Sequence, residues 1–134
     1  MEAPWTYSAD IWNVGCMIWD VFENQPLFTG RDPEFHQSYR SRAHLAEMIG
    51  LLGPPPLNLL GQVKLSSKFF SEDGNFCAEY PLQDRVPLEE RETSLEGQDK
   101  ECFLHLIRKM LQWEPEKRSS AKELAEDEWI RRHT

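Results

Sequence analysis

His44 and Glu47 stand three positions apart in a segment with helical periodicity, a spacing at which two metal ligands could meet. A metal ion would need further ligands, and no other cluster of histidines or carboxylates in the sequence has a spacing that indicates metal ligands. The sequence therefore predicts that this pair faces solvent beside an apolar stripe and binds no metal.

Two other short stretches contain the residue types of nucleophilic catalysis, namely His36 with Ser38, and Ser119 with Ser120. A nucleophile needs a positioned base and a third group that orients the base, and proximity in sequence supplies neither. Ser120 has a definite structural role as the N-cap of a helix, with Glu123 completing a capping box. We therefore find no catalytic constellation, and no glycine-rich loop that could hold a nucleotide phosphate.

The charge and the cysteine content of the chain disfavour several kinds of binding partner and site. The formal net charge of −8 argues against a nucleic acid or an anionic membrane surface as partner, because both attract basic stripes. The three cysteines are odd in number and have no paired spacing, which disfavours a disulfide scaffold or a zinc site. We expect thiols in a reducing compartment and an intracellular protein, either cytoplasmic or nuclear. The cysteines are Cys16, Cys77 and Cys102.

Apolar periodicity predicts a mainly α chain with four helices and one irregular region between the second and third. At 134 residues the chain is one domain or part of one. A glycine followed by a proline run ends the second helix, and a short hairpin around an Asp-Gly turn is expected within the irregular region. The helices are expected at about 8–23, 41–52, 99–112 and 120–131, and the irregular region at about 57–97.

The first helix is apolar nearly all round, with Ser8 or Thr6 as its N-cap. Such a helix belongs in the middle of a fold, wrapped by other elements. One of its stripes contains Ile11, Val14, Gly15, Ile18, Val21 and Phe22, and the other contains Trp12, Cys16 and Trp19.

Four motifs in order resemble the C-terminal part of the C-lobe of eukaryotic protein kinases, helices F to I. The stretch 8–16, SADIWNVGC, resembles the D-x-W-x-x-G signature of helix F, and 26–30, PLFTG, resembles the loop that follows. The stretch 44–55, HLAEMIGLLGPP, looks like helix G of the CMGC group, and 110–118, MLQWEPEKR, looks like the turn between helices H and I. The region 57–97 falls where CMGC kinases carry their insert, and fungal SR-protein-kinase-like enzymes look most similar.

The resemblance implies the helical C-terminal half of a kinase C-lobe with a loop-rich CMGC-type insert between helices G and H. It also implies a parent protein that transfers phosphate from ATP, with magnesium, to serine or threonine of protein substrates. The family's glycine-rich loop, strand lysine, H-R-D and D-F-G motifs are missing from this sequence. We therefore expect a kinase fragment with no ATP or metal site of its own and no activity alone. The alternative is a non-catalytic protein-interaction module derived from a kinase.

The resemblance assigns structural positions to a few residues. Asp10 would accept hydrogen bonds from the family's catalytic loop; because that loop is missing from this sequence, we expect Asp10 to act only as a carboxylate that suits the dipole at the helix start. Trp12 and Gly15 would pack helix F against its neighbours. Arg118 would pair with the glutamate of the family's A-P-E motif; without it, we expect Arg118 to be solvated or paired with another carboxylate. Asp20 falls where some kinases read a basic substrate side chain, and is a possible substrate contact.

The resemblance also predicts an interaction surface. In intact kinases the catalytic loop and activation segment cover one side of helix F. We expect apolar surface near Trp12, Cys16 and Trp19 to be exposed without them, and large apolar patches seldom stay bare. The exposed side of helix F is therefore expected to bind a protein partner or a second copy of the chain.

Overall fold

The computed structural model describes residues 7–60, 69–71, 74–76 and 86–134, which belong to two compact units. The helical unit contains 7–27 and 88–134, and the hairpin unit contains the described residues of 28–87. The described chain is mainly α, which confirms the predicted fold class.

Helices account for most of the described elements, with one small antiparallel sheet. The helices are α1 (Tyr7–Glu23), α2 (Ser41–Leu52), α3 (Leu57–Leu60), α4 (Leu88–Arg91), α5 (Gly97–Met110), α6 (Ala121–Ala125) and α7 (Glu128–Arg132); the strands are β1 (Arg31–Asp32) and β2 (Ser38–Tyr39); short 3-10 helices occupy Pro33–Phe35 and Pro115–Lys117.

The core of the helical unit forms where α1 packs on α5. The α5 stripe is apolar at helical spacing, and its members Phe103 and Ile107 have no exposed surface. Three aromatic rings meet in this core: the ring centroid of Phe103 lies 4.6 Å from that of Phe22 and 5.2 Å from that of Trp129. This shared aromatic cluster fixes α1 and α7 on the same helix.

The structure excludes one of the two candidate N-caps of α1 and corrects the expectation that the helix is wrapped on all sides. The helix begins at Tyr7, so Ser8 lies inside it and is not its N-cap; Thr6 is outside the described residues. The helix is also not wrapped on all sides, because the Met17 side chain is 57% exposed and that of Val21 is 78% exposed. The apolar composition of α1 permitted burial on both sides, but Met17 and Val21 on one side stay more than half exposed.

The single helix predicted at 120–131 is two helices, α6 and α7. The break is set by Asp127, whose Oδ1 accepts a hydrogen bond from the Trp129 amide and caps α7. The other oxygen of this buried carboxylate pairs with Lys109 of α5. The predicted capping box at the start of α6 is confirmed, with Ser120 and Glu123 bonded in both directions.

The hairpin unit begins with strands β1 and β2, in which Arg31 is opposite Tyr39. The α2 helix follows and ends at Gly53, whose φ of 80° is a conformation that favours glycine. Phe70 and Phe76 form an isolated antiparallel bridge with Gly74 in the turn, where a hairpin was expected. Asp73 of that predicted turn lies outside the described residues.

Replacing Ile107 with alanine tests the α1–α5 core. We expect the free energy of unfolding to fall by about 2–5 kcal/mol, because Ile107 is fully buried and the cavity cannot refill completely. Chemical denaturation followed by tryptophan fluorescence measures the change. The matched control Val21→Ala, at an exposed position on α1, should change stability by less than about 0.5 kcal/mol. Equal losses in the two variants would contradict the assigned core.

Candidate functional site

Gly15 lies where α1 packs against the C-terminal end of α5. A Cβ added at this position would lie 3.0 Å from the Met110 Cβ and 3.2 Å from the Leu111 Cδ2, closer than ordinary van der Waals contact. One turn further along α1, Trp19 is buried, with its ring stacked on that of Phe103 at a centroid distance of 6.2 Å. The absence of a side chain at Gly15 therefore brings the two helices together.

Arg118 joins the start of α1 to the segment that follows α5. Its Nη1 donates a hydrogen bond to the Ser8 carbonyl at 2.9 Å, and its Nε donates to the Gln112 carbonyl at 2.9 Å. Nη2 donates to the Trp113 carbonyl at 3.4 Å. The guanidinium carbon lies 5.1 Å from the centroid of the Trp12 ring, within the range of a cation–π contact.

The expectation that Arg118 would be solvated or borrow a carboxylate was wrong. Backbone carbonyls occupy its donors, and none of the ion pairs between described residues includes it. Desolvation by burial lowers the pKa of Arg118, with the carboxylate of Glu116 opposing that shift. Several carbonyl dipoles thus replace one negative charge as the partner of this half-buried cation.

The two predicted acidic positions on α1 have different surroundings. Asp10 is exposed in the first turn, where a negative charge suits the helix dipole. Asp20 is half-buried, and its Oδ1 accepts a hydrogen bond from the Leu27 amide at 2.7 Å. Arg91 of α4 donates to the carbonyl of the same Leu27 at 2.9 Å. Asp20 therefore holds the chain as it leaves α1, and its role as a substrate contact stays a prediction.

Apolar side chains do line one side of α1, but they are not the ones expected. Trp19 is only 3% exposed, while Trp12 and Cys16 are half-buried. The expected patch is therefore wrong at Trp19, which packs within the helical unit, whereas Trp12 and Cys16 keep part of their surface exposed. The exposed large side chains of the helix outside the aromatic cluster, here called the outer face of α1, are Tyr7, Val14, Met17 and Val21.

His44 and Glu47 do not form a solvent-facing pair, which corrects another expectation. The carboxylate of Glu47 accepts three hydrogen bonds, from the Thr29 amide, the Thr29 hydroxyl and the Gly30 amide, at 2.8, 2.9 and 2.9 Å. His44 is half-buried, with its Nδ1 3.0 Å from the Tyr39 hydroxyl. The pair fixes the loop before β1. Burial lowers the pKa of His44, which favours the neutral imidazole.

The other candidate residues do not assemble a reactive centre in the described part of the chain. Burial, with the nearby charge of Asp20, raises the pKa of Cys16 to about 11, so its thiol stays protonated at neutral pH. Ser120 serves as the helix cap, while His36 and Ser38 lie exposed on the hairpin. Within the described ranges, no group of three or more metal-ligating side chains occurs.

None of the helices in the described residues combines the length and apolarity required to cross a bilayer.

Sequence reasoning missed the buried carboxylates that organise each unit. Glu92 is 1% exposed and Asp32 is fully buried, although acidic residues usually remain at the surface. Asp32 caps the 3-10 turn after β1 and pairs with Arg42 at 2.6 Å. Glu92 accepts amide hydrogen bonds from Ser94 and Leu95. The sequence offered two signals for these carboxylates: Asp32 stands directly before a proline, and Glu92 stands two positions before a serine.

Comparison with known proteins connects this geometry to a family. The model of the protein kinase domain matches residues 1–130. The chain is 46% identical over 127 residues to a serine/threonine protein kinase of Aspergillus fumigatus, covering 94% of the chain and 31% of that relative. It is 31% identical over 137 residues to serine/threonine-protein kinase SKY1 of Saccharomyces cerevisiae, covering 98% of the chain and 18% of that relative.

A third relative, dual specificity protein kinase CLK2 of Mus musculus, is 28% identical over 123 residues, covering 88% of the chain and 23% of that relative. The chain therefore belongs to the protein kinase family. It spans about a third or less of the length of these relatives. The resemblance to the C-lobe of CMGC kinases and to fungal serine/threonine kinases is confirmed.

Replacing Arg118 with lysine tests its contacts with the backbone. We expect a loss of about 1–3 kcal/mol in unfolding free energy, because an ammonium cannot reach three separated carbonyls in the geometry of the guanidinium fork. Thermal and chemical denaturation measure this loss. The control Arg132→Lys, at a more exposed arginine on α7, should be nearly neutral. A neutral Arg118→Lys variant would show that the fork geometry is dispensable.

Proposed function

We propose that this chain supplies the scaffold of the substrate-binding lobe of a protein serine/threonine kinase. The whole protein would transfer phosphate from ATP to serine or threonine of protein substrates. The match to the protein kinase domain over 1–130 is the observation that carries the proposal. The contacts of Gly15 and Arg118 with the segments around α5 support it, because they make α1 a rigid support.

The chain alone is proposed to be inactive. Its sequence has no glycine-rich phosphate loop, and its described residues offer no three-ligand metal cluster. These residues do not fit a nucleotide with its magnesium ion, so ATP and magnesium would be held by other parts of the whole protein. Phosphoryl transfer depends almost entirely on positioning and on charge stabilisation of the phosphates. A support without the phosphate-binding groups cannot supply either.

A phosphorylation assay tests this inactivity. The purified chain, incubated with labelled ATP, magnesium and a general Ser/Thr substrate, should transfer no phosphate above a heat-denatured control. ATP with magnesium should also leave its melting temperature unchanged, because specific binding to the native state raises it. Robust transfer that survives repurification would refute the proposed inactivity while leaving the family assignment intact.

The second candidate function is a non-catalytic protein-interaction module. The outer face of α1 favours it, since Met17 and Val21 are apolar and more than half exposed. Burying such side chains is worth roughly 25 cal/mol per Å². We propose that the outer face binds protein, either a partner or a second copy of this chain. We propose neither a nucleic acid nor an anionic membrane as a partner, because the net charge of −8 on the chain disfavours association with either.

Replacing Val21 with glutamate tests the outer face. The wild-type chain should show a mass above that of a monomer, or retain a partner, in size-exclusion chromatography with light scattering at high concentration. Val21→Glu should be monomeric with unchanged stability, because a charge at an exposed position weakens association without disturbing the core. Lys122→Glu, at an exposed position on α6, should behave as wild type. A wild-type chain that stays monomeric and binds nothing would contradict this role.

Asp20 is proposed as a contact for a basic substrate side chain in the whole kinase. One of its oxygens already accepts the Leu27 amide, so a substrate would use the remaining acceptor capacity of a carboxylate.

We also propose an intracellular location, in the cytoplasm or the nucleus. The support is the unpaired state of Cys16 and Cys102, which suits a reducing compartment.

A further inference from the structure

Two carboxyl groups meet in the helical unit at the end of α1. Glu23, the last residue of the helix, lies within hydrogen-bonding reach of the Glu92 carboxyl and of the amide and hydroxyl of Thr93. The Glu23 Oε1 is buried and has no hydrogen-bond partner among the described residues. Two ionised carboxylates in such contact would repel each other, so one of them must hold a proton or the contact must open.

Glu92 is the member of the pair that is built to carry the negative charge. One of its oxygens accepts hydrogen bonds from the Ser94 and Leu95 amides at 2.6 and 3.0 Å. The Nζ of Lys100 on α5 lies 3.9 Å from the other oxygen and donates to the Glu92 backbone carbonyl at 2.8 Å. Amide donors and a nearby cation stabilise the ionised form of a buried carboxyl.

Glu23 has the opposite surroundings. It stands at the C-terminal end of α1, where the helix dipole disfavours a negative charge, and the last turn contains no basic residue. Burial, followed by the hydrogen bond to Glu92 and its charge, raises the pKa of Glu23. The hydrogen bonds from Thr93 oppose this shift. An unpartnered buried oxygen is also less costly on a neutral acid than on a carboxylate.

We propose that Glu23 and Glu92 share one proton in the folded chain and form a pH-sensitive latch between the end of α1 and the turn that enters α5. The neutral Glu23 donates a hydrogen bond to the ionised Glu92. Loss of the shared proton places two negative charges in contact, which pushes the end of α1 away from residues 92–95. The latch is therefore closed in mildly acidic solution and weakened as the pH rises.

The sign of the pH dependence follows from the direction of the Glu23 shift. Because the folded chain holds this proton more tightly than the unfolded chain, the latch stabilises the fold fully below the unfolded pKa. That stability is lost as the pH rises through the folded pKa. The basic residues next to the pair are Lys100 of α5, whose Nζ lies 3.9 Å from a Glu92 oxygen, and Arg91 of α4, which precedes Glu92 and donates to the Leu27 carbonyl.

The test compares the wild-type chain with Glu23→Gln, whose amide donates a hydrogen bond to Glu92 at every pH. Urea denaturation is measured at intervals from about pH 5 to about pH 8. Relative to the variant, the unfolding equilibrium constant of the wild type should rise with pH by up to about tenfold per pH unit. The control Glu90→Gln, at an exposed glutamate on α4, should follow the wild type.

Parallel pH profiles for wild type and Glu23→Gln would overturn the proposal. If the variant does not fold, the wild-type chain labelled with ¹³C at glutamate carboxyl carbons provides the same test by nuclear magnetic resonance. The Glu23 carboxyl should then titrate above the ordinary range of a glutamate. Titration of Glu23 within that range would also overturn the latch.

Discussion

The helical unit depends on the close approach of α1 and α5 at Gly15. Any side chain there would meet Met110 and Leu111 at less than contact distance, so the helix separation is set by a missing group. The same approach brings the start of α1 close to the segment that follows α5, where Arg118 reaches the Ser8 carbonyl. A longer separation would leave that cation half-buried without its acceptor, which is costly in a partly desolvated site. Packing and hydrogen bonding therefore specify the same geometry.

Sequence reasoning succeeded where the signal was local. Periodicity placed the long helices, and Ser120 with Glu123 marked the start of α6. It failed where a partner far along the chain decided the outcome. Asp127 breaks the last helical stretch while paired with Lys109, a residue 18 positions earlier, and Glu47 is held by Thr29, likewise 18 positions away. No local pattern distinguishes such carboxylates from solvated ones, because burial depends on the tertiary fold.

The outer face of α1 illustrates a second limit of sequence reasoning. The sequence pattern indicated that α1 is apolar on more than one side. The resemblance to protein kinases predicted that one side of this helix would be exposed. Neither could say which side meets α5. The large ring of Trp19 fills the space beside Phe103, whereas the smaller Val21 projects outward. The side that packs inward therefore combines Gly15 and Phe22 of one stripe with Trp19 of the other, because the large rings gain more from burial than a valine.

The acidic residues of this chain act in opposite ways according to their partners. The hydrogen bond from Arg108 lowers the pKa of Glu89 to about 2, so its stabilising effect is present at neutral pH and lost on acidification. Arg42 likewise lowers the pKa of Asp32. Glu23 faces another carboxyl, its pKa is raised, and its effect is lost as the pH rises. Acid and base therefore weaken different contacts in the chain. The net charge of −8 does not reveal this difference. The partner of each carboxyl group, and not the number of carboxyl groups, determines whether its contribution to stability is lost in acid or in base.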